Sequence, residues 1–257
     1  QRKDFREFGP YFFERPYLFV EVKEEKKIHG KYAVHEVTMF NRIVQPSYYN
    51  RTKERIVYYD MDSIKRGVKE LVNESHKRMF IDLEFTMPAY YQTMPHTQEI
   101  IQYGIIIEDE NGNIIFEDSS LVSPSKPYNL NGRTLKFLSR KRSDFNNSVN
   151  YKYFYDVLKK CMDEFEPKVY VWGRSDILAI EQAFVINKVE PIEIRKHHIN
   201  LMQVMKNYYN LKDEMGLFQT YQEMSNVQME AQVHDAFEDA LLTREVFRLF
   251  KDKINND

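Results

Sequence analysis

The chain has 257 residues, room for one large domain or for one of roughly 170 residues with a small appended piece. A content of 42% hydrophobic, 30% charged and 14% aromatic residues excludes a disordered polymer. The longest stretch free of Asp, Glu, Lys and Arg, Phe85–Gln98, carries Pro88 and Pro95, and a bilayer span needs about 20 apolar residues, so no membrane crossing is expected.

The net charge of −2 hides an uneven distribution: residues 1–80 hold 17 Lys+Arg against 12 Asp+Glu, a net of +5, and the remainder holds 20 against 27, a net of −7. Gln1 is followed by charged residues, so the start reads as a trimmed end, not a secretion signal. In the basic segment Tyr17–Val22 and Tyr32–Phe40 predict two strands of a hairpin, with the charged run Lys23–Lys27 and Gly30 between them as the turn. Met61, Ile64, Val68, Leu71 and Val72 recur at helical spacing, which predicts an amphipathic helix over 61–74. Arg78–Thr86 is a short apolar strand interrupted by two acids, followed by a loop over 87–98. Ile100–Glu108 and Ile114–Val122 flank an Asn-Gly pair, the strongest local hairpin signal. Phe154, Leu158, Cys161, Met162 and Phe165 mark a helix stopped by Pro167, and Lys168–Trp172 reads as a buried strand. A helix from Ser175 or Asp176 is expected to turn Ile177, Leu178, Ile180, Phe184 and Val185 inward, and residues 198–209 suggest a short strand and helix. The last helix starts near Asp235 with Ala236, Ala240, Thr243, Phe247 and Phe250 on one stripe. Three meandering strands followed by strand and helix alternation predict an α/β fold with a mixed sheet flanked by helices. The expected division is an N-terminal accessory region, 1–76, made of a hairpin and a helix, and a larger domain, 77–257.

The lone Cys161 excludes an intramolecular disulfide and CxxC-type metal or redox sites and predicts a reducing, cytoplasmic compartment. The eight glycines never come closer than eight residues to one another, which excludes the dinucleotide turn, the P-loop and the nucleophile elbow. Chemistry by carboxylates and histidine stays open. Asp82 and Glu84, two apart in a strand, share one face; such a pair suits a divalent cation, or it is a solvated edge. Asp176 opens a helix after a Trp-Gly strand end, where an acid is favoured by the helix dipole whatever its function. His234 precedes the last helix and Asp239 lies near its start, an arrangement that also suits a cap.

Their joint order is more specific. Phe80-Ile-Asp82-Leu-Glu84-Phe-Thr86, then Trp172-Gly-Arg-Ser-Asp176, then His234-Asp-Ala-Phe-Glu-Asp239 resemble the three motifs of the DEDDh 3′-to-5′ exonuclease family over about residues 78–250. The Asp-Leu-Glu-Phe-Thr-Met-Pro run and Glu99–Gln102 look most like its KapD-type branch and the branch that trims small RNAs and histone mRNA ends. Ser175 stands where some RNA-trimming relatives carry an aromatic residue. The resemblance implies an RNase H-like mixed five-stranded sheet with a small N-terminal α+β extension, and two divalent cations, Mg²⁺ or Mn²⁺, held by Asp82, Glu84, Asp176 and Asp239. His234 would be the general base, and nucleoside 5′-monophosphates would be released from single-stranded RNA or DNA 3′ ends, RNA slightly preferred. Phe85 and Thr86 are expected to grip the terminal nucleotide and the loop tyrosines Tyr90 and Tyr91 to stack on bases. From Ser119 to Ser143 there is no acid, while Lys126, Arg133, Lys136, Arg140, Lys141 and Arg142 are all basic. This run, Arg140, Lys141 and Arg142 above all, is expected to track phosphates, or else to be a solvated face. The rivals are a DNA-directed proofreading or repair exonuclease of the same fold and a catalytically silent nucleic-acid-binding module.

Overall fold

Two long strands meet at Gly30-Lys31 and build the first sheet of the computed structural model, which describes residues 8–12, 15–45, 56–93, 95–228 and 234–256. Strand β1 (Tyr17–His29) pairs antiparallel with β2 (Tyr32–Gln45), and β2 with β3 (Ile56–Asp60). The expected turn at Lys23–Lys27 is corrected: Lys26 and Lys27 are ladder residues opposite His35 and Val34, and the chain reverses at Gly30, whose φ is +62°. A two-residue loop with a positive φ matches the twist of a hairpin, and Lys23 and Lys27 meet Glu36 across the strands. Strand β3, five residues that include Tyr58 and Tyr59, was not expected. A helical turn at residues 8–12, α1, places the Phe8 ring 4.6 Å from Phe40 and 5.0 Å from Tyr59. Asp60 accepts hydrogen bonds from the Asp62 and Ser63 amides (3.2 and 3.4 Å) and so starts α2 (Met61–Asn73).

The chain divides into two compact units, one reaching to Leu71 and including Asn207–Asn210, the other running from Val72 to Lys206 and from Leu211 onward. In the second unit β4 (Arg78–Phe85), β5 (Ile100–Glu108), β6 (Ile114–Leu121), β7 (Lys168–Val171) and β8 (His198–Asn200) form a five-stranded mixed sheet of order β6-β5-β4-β7-β8. The first three strands are antiparallel, while β4, β7 and β8 run parallel. At the β5–β6 turn Asp109 accepts the Asn111 and Asn113 amides (2.9 and 2.8 Å), and Gly112 takes φ +87°.

The central strand β4 divides its side chains by parity. Met79, Ile81 and Leu83 join Tyr103, Ile105 and Ile107 of β5 against α4 (Tyr151–Phe165) and α5 (Ser175–Asn187). The even residues face α8 (Ala236–Asn256), where Phe80 and Phe247 have ring centroids 5.7 Å apart. Helix α5 buries Ile177, Ala179, Ile180, Ala183 and Phe184, but Leu178 and Val185 are 49% and 78% exposed, contrary to expectation. Each lies about 100° around the helix from a core residue, and a helix apolar on most sides does not reveal its buried face by composition. At the far end of β4 the buried Glu108 accepts from Arg78 Nε (2.5 Å) and Arg244 Nε (2.8 Å) and so ties α8 to β4 and β5. The shorter helices α3 (Gly132–Phe137), α6 (Leu201–Tyr209) and α7 (Leu217–Ser225) complete the described α-helices, α3 and α7 unforeseen. Among the described residues no helix is long and apolar enough to cross a membrane.

Candidate active site

Parity on β4 places Asp82 and Glu84 on the face covered by α8, paired across the ladder with Gly104 and Gln102 of β5. The glycine decides how closely the helix approaches. A Cβ at Gly104 would stand 2.4 Å from the Ala236 carbonyl oxygen and 2.4 Å from Phe237 Cα, contacts that no substituent tolerates without moving the backbone. The first turn of α8 therefore crosses beside Asp82 and delivers buried Asp239, with half-buried His234 just ahead of it. From the other side Gly173, at φ +92°, turns the chain out of β7 into α5. Asp176, in the first turn of α5, then accepts the Leu83 amide through Oδ1 (3.1 Å), locking it between the two β4 acids.

Burial and mutual repulsion dominate this cluster. Burial first, then the charges of Asp176, Asp239, Glu84 and Asp235, push the Asp82 carboxyl well above the usual range. Glu84 is raised to about 8 by burial and by Asp239, Asp176 and Asp235. Asp176 rises to about 7 through burial, against the lowering effect of its own amide and that of Leu83. Burial holds the His234 imidazole below its usual value, hence neutral at pH 7. Carboxyls that ionise only at such cost, with other acids as their strongest neighbouring charges, fit a hard divalent cation in place of protons. Glu84, His234 and Asp239 each bring a ligand atom within 4.8 Å of the other two, with His234 Nδ1 3.8 Å from Glu84 Oε1.

The histidine segment is braced by residues that sequence reasoning did not single out for this work. The Phe137 ring of α3 stacks on His234, centroids 4.0 Å apart and planes at 22°. Asp235 Oδ2 accepts from Arg140 (2.8 Å) and from Gln102 Nε2 (2.8 Å), while its Oδ1 accepts the Phe237 amide (3.1 Å) that opens α8. Helix α3 had a readable signal, Asn131 before Gly132 with Leu135 and Leu138 one turn apart, and Asn131 indeed caps it by accepting the Arg133 and Thr134 amides (2.9 and 3.1 Å).

The expected substrate residues are placed differently from one another. Phe85 is partly buried against the core. Thr86 is fully buried, its amide bonded to the Glu99 carbonyl, its hydroxyl accepting from the Glu99 amide and its carbonyl accepting from His96; it braces the loop and presents no free polar group. Tyr90 and Tyr91 are 65% and 97% exposed, with the Arg133 guanidinium 5.7 Å from the Tyr90 ring centroid. The basic run is not one free strip. Arg140 pairs with Asp235, and Arg142 donates to the Pro127 and Leu130 carbonyls (3.1 and 2.5 Å), whereas the Lys136 and Lys141 side chains are exposed.

Comparison with known proteins identifies a family and similar folds. The profile of the Exonuclease (RNase T) family matches residues 79–247. The chain is 27% identical over 174 residues to the probable 3′-5′ exonuclease KapD of Bacillus subtilis, covering 66% of this chain and 82% of KapD. Its fold is similar to the nuclease domain of 3′hExo, a DEDDh family member solved bound to rAMP, with a TM-score of 0.60 and 13% identity over 69% of this chain and 93% of that one. E. coli exonuclease I in complex with a dT13 oligonucleotide is similar over 70% of this chain and 42% of its own, with a TM-score of 0.54 and 15% identity.

Proposed function

Because this chain belongs to the DEDDh 3′-to-5′ exonuclease family and is a hydrolytic exonuclease, we propose that it trims single-stranded 3′ ends to nucleoside 5′-monophosphates, with RNA slightly preferred over DNA. The observation that carries this reading is the approach of Glu84, Asp239 and His234 to within 4.8 Å of one another, with Asp82 on the same face of β4 and Asp176 holding the Leu83 amide between the two strand acids. The ribonucleotide preference draws on rAMP in 3′hExo; the dT13 complex of exonuclease I makes DNA the alternative.

The family uses divalent cations, and here Asp82, Glu84, Asp176 and Asp239 would hold two, Mg²⁺ or Mn²⁺. Such ions supply charge stabilisation for the attacking and the leaving oxygens of an in-line phosphoryl displacement. His234, neutral at pH 7, takes the proton of the attacking water, a role worth about 10² to 10⁴ in rate. Asp235, held by Gln102 and Arg140, fixes the chain on which that imidazole sits. Phe85 at the end of β4 and exposed Tyr90 and Tyr91 offer rings to the terminal bases, and Lys136 and Lys141 offer free charge to the phosphates. The single cysteine is consistent with work in the cytoplasm.

Matched RNA and DNA oligonucleotides, labelled at either end and incubated with and without Mn²⁺, test the proposal. Metal-dependent mononucleotide release from the 3′ label, faster on RNA, is the expected result. Release from the 5′ label first would overturn the polarity, and faster DNA hydrolysis the preference.

A further inference from the structure

Resting on the reading of His234 as the proton acceptor, we propose that Phe137 and Arg140 are positioning residues, which hold the His234–Asp235 segment in register with the acid cluster. The Phe137 ring lies face-on against the imidazole, with centroids 4.0 Å apart and planes at 22°. Such a contact fixes the plane of the ring and leaves both nitrogens at its edge, where a proton must be received. The neighbouring residue is fixed separately, because the Arg140 guanidinium donates to Asp235 Oδ2 at 2.8 Å. Asp235 is in turn anchored to β5 through Gln102 and to the first turn of α8 through the Phe237 amide.

Both residues can act this way because α3 is itself tied to the end of the strand that carries Asp82 and Glu84. Thr134 Oγ1 accepts the Met87 amide (2.9 Å), and Asn131 Nδ2 donates to the Met87 carbonyl (2.7 Å), two residues past β4. Ser139, at φ +52°, ends α3 in the left-handed conformation while the Arg140 amide returns to the Leu135 carbonyl (3.0 Å). That left-handed closure turns Arg140 to Asp235 within three residues of the Phe137 ring. Helix α3 thus relates the imidazole to β4 by a route independent of α8. The arginine that the sequence suggested for substrate phosphates is engaged within this brace.

The test uses the full chain on a 3′-labelled oligonucleotide with Mn²⁺, comparing Phe137→Leu, Phe137→Trp, Arg140→Gln, His234→Ala and the double variant Phe137→Leu/His234→Ala. Phe137→Leu and Arg140→Gln should each lower kcat by about tenfold or more, since small misplacements of a reacting group cost up to about 10²-fold, with KM little changed. Phe137→Trp, which restores a stacking face, should recover most of the rate. In the His234→Ala background Phe137→Leu should add nothing. A wild-type kcat in Phe137→Leu, an effect confined to KM, or full multiplication of the two losses in the double variant would overturn the assignment. If His234→Ala alone kept the wild-type kcat, the base role would fall and this assignment with it. A slow His234→Ala beside a normal Phe137→Leu would remove the assignment alone.

Discussion

Asp82 lies on the central strand and Asp239 in the first turn of α8, near enough that the Asp239 charge helps to raise the Asp82 carboxyl. Replacing either by Asn keeps the size and removes the ligand charge, so Asp82→Asn or Asp239→Asn should abolish nucleotide release while circular dichroism stays native. Near-normal turnover in either variant would end the two-cation assignment. The shifted carboxyls also predict a pH dependence of stability. Glu84 titrates near 8 and Asp176 near 7 in the folded chain, against 4.5 and 3.8 as ordinary values. The folded protein therefore holds protons that the unfolded chain has released. The stabilisation from these groups is complete below the ordinary values and is lost as pH rises through 7 and then 8. Without divalent cations, the contribution of these groups should make Tm fall between pH 6 and 8.5. Mn²⁺ or Mg²⁺, replacing those protons, should raise Tm more at pH 8.5 than at pH 6. A calorimetric series with an equal cation shift at both values would contradict this account.

Between elements, the decisive contact is that of β5 with α8 at Gly104. The atoms that a Cβ would meet there belong to the backbone of Ala236 and Phe237, so no side-chain rotation can relieve the clash. Gly104→Ala should cost about 1–3 kcal/mol, the usual range for overpacking, or more. Because α8 carries Asp239 and follows His234, the displacement should also reduce kcat far more than a surface substitution of equal stability cost. Melting and turnover measured on the same sample check both, and a variant that melts early yet turns over normally would detach the glycine from catalysis. The buried Arg78–Glu108–Arg244 network anchors the same helix at the opposite end of the sheet.

At the scale of the whole chain, charge and compactness divide it at nearby places. The basic excess ends near residue 80, the expected accessory boundary lies at 76, and the compact units separate within α2, between Leu71 and Val72. A three-stranded sheet with short helices buries little apolar surface on its own, whereas the five-stranded unit has a continuous core on both faces of β4 and β5. Residues 77–257 expressed alone should fold and still release mononucleotides, with weaker binding once the basic segment is gone. A well-folded fragment without any activity would show that residues 1–76 contribute to the site.

Periodicity and turn chemistry alone located the five strands from β4 onward, the β5–β6 hairpin at its Asn-Gly pair and the buried stripe of α8. These follow from local rules that act within a few residues. The four acids and His234 were legible for a related reason: acids in an apolar strand or at a helix start stand out from their surroundings, and their order along the chain is specific. The limit of β1 was misplaced because a charged run reads as a turn, although Lys26 and Lys27 sit in an exposed ladder where charge is tolerated. Leu178 and Val185 were misassigned because apolar identity does not name the face that meets the sheet. Tertiary structure alone decided that Thr86 is a buried brace and that Gly104 admits α8. It also set Arg140 and Phe137 to work on the histidine segment, because these roles depend on partners about 95 residues away in the chain. Contacts at such separation leave no periodic trace in the sequence; they arise only when the sheet, α3 and α8 close on one another.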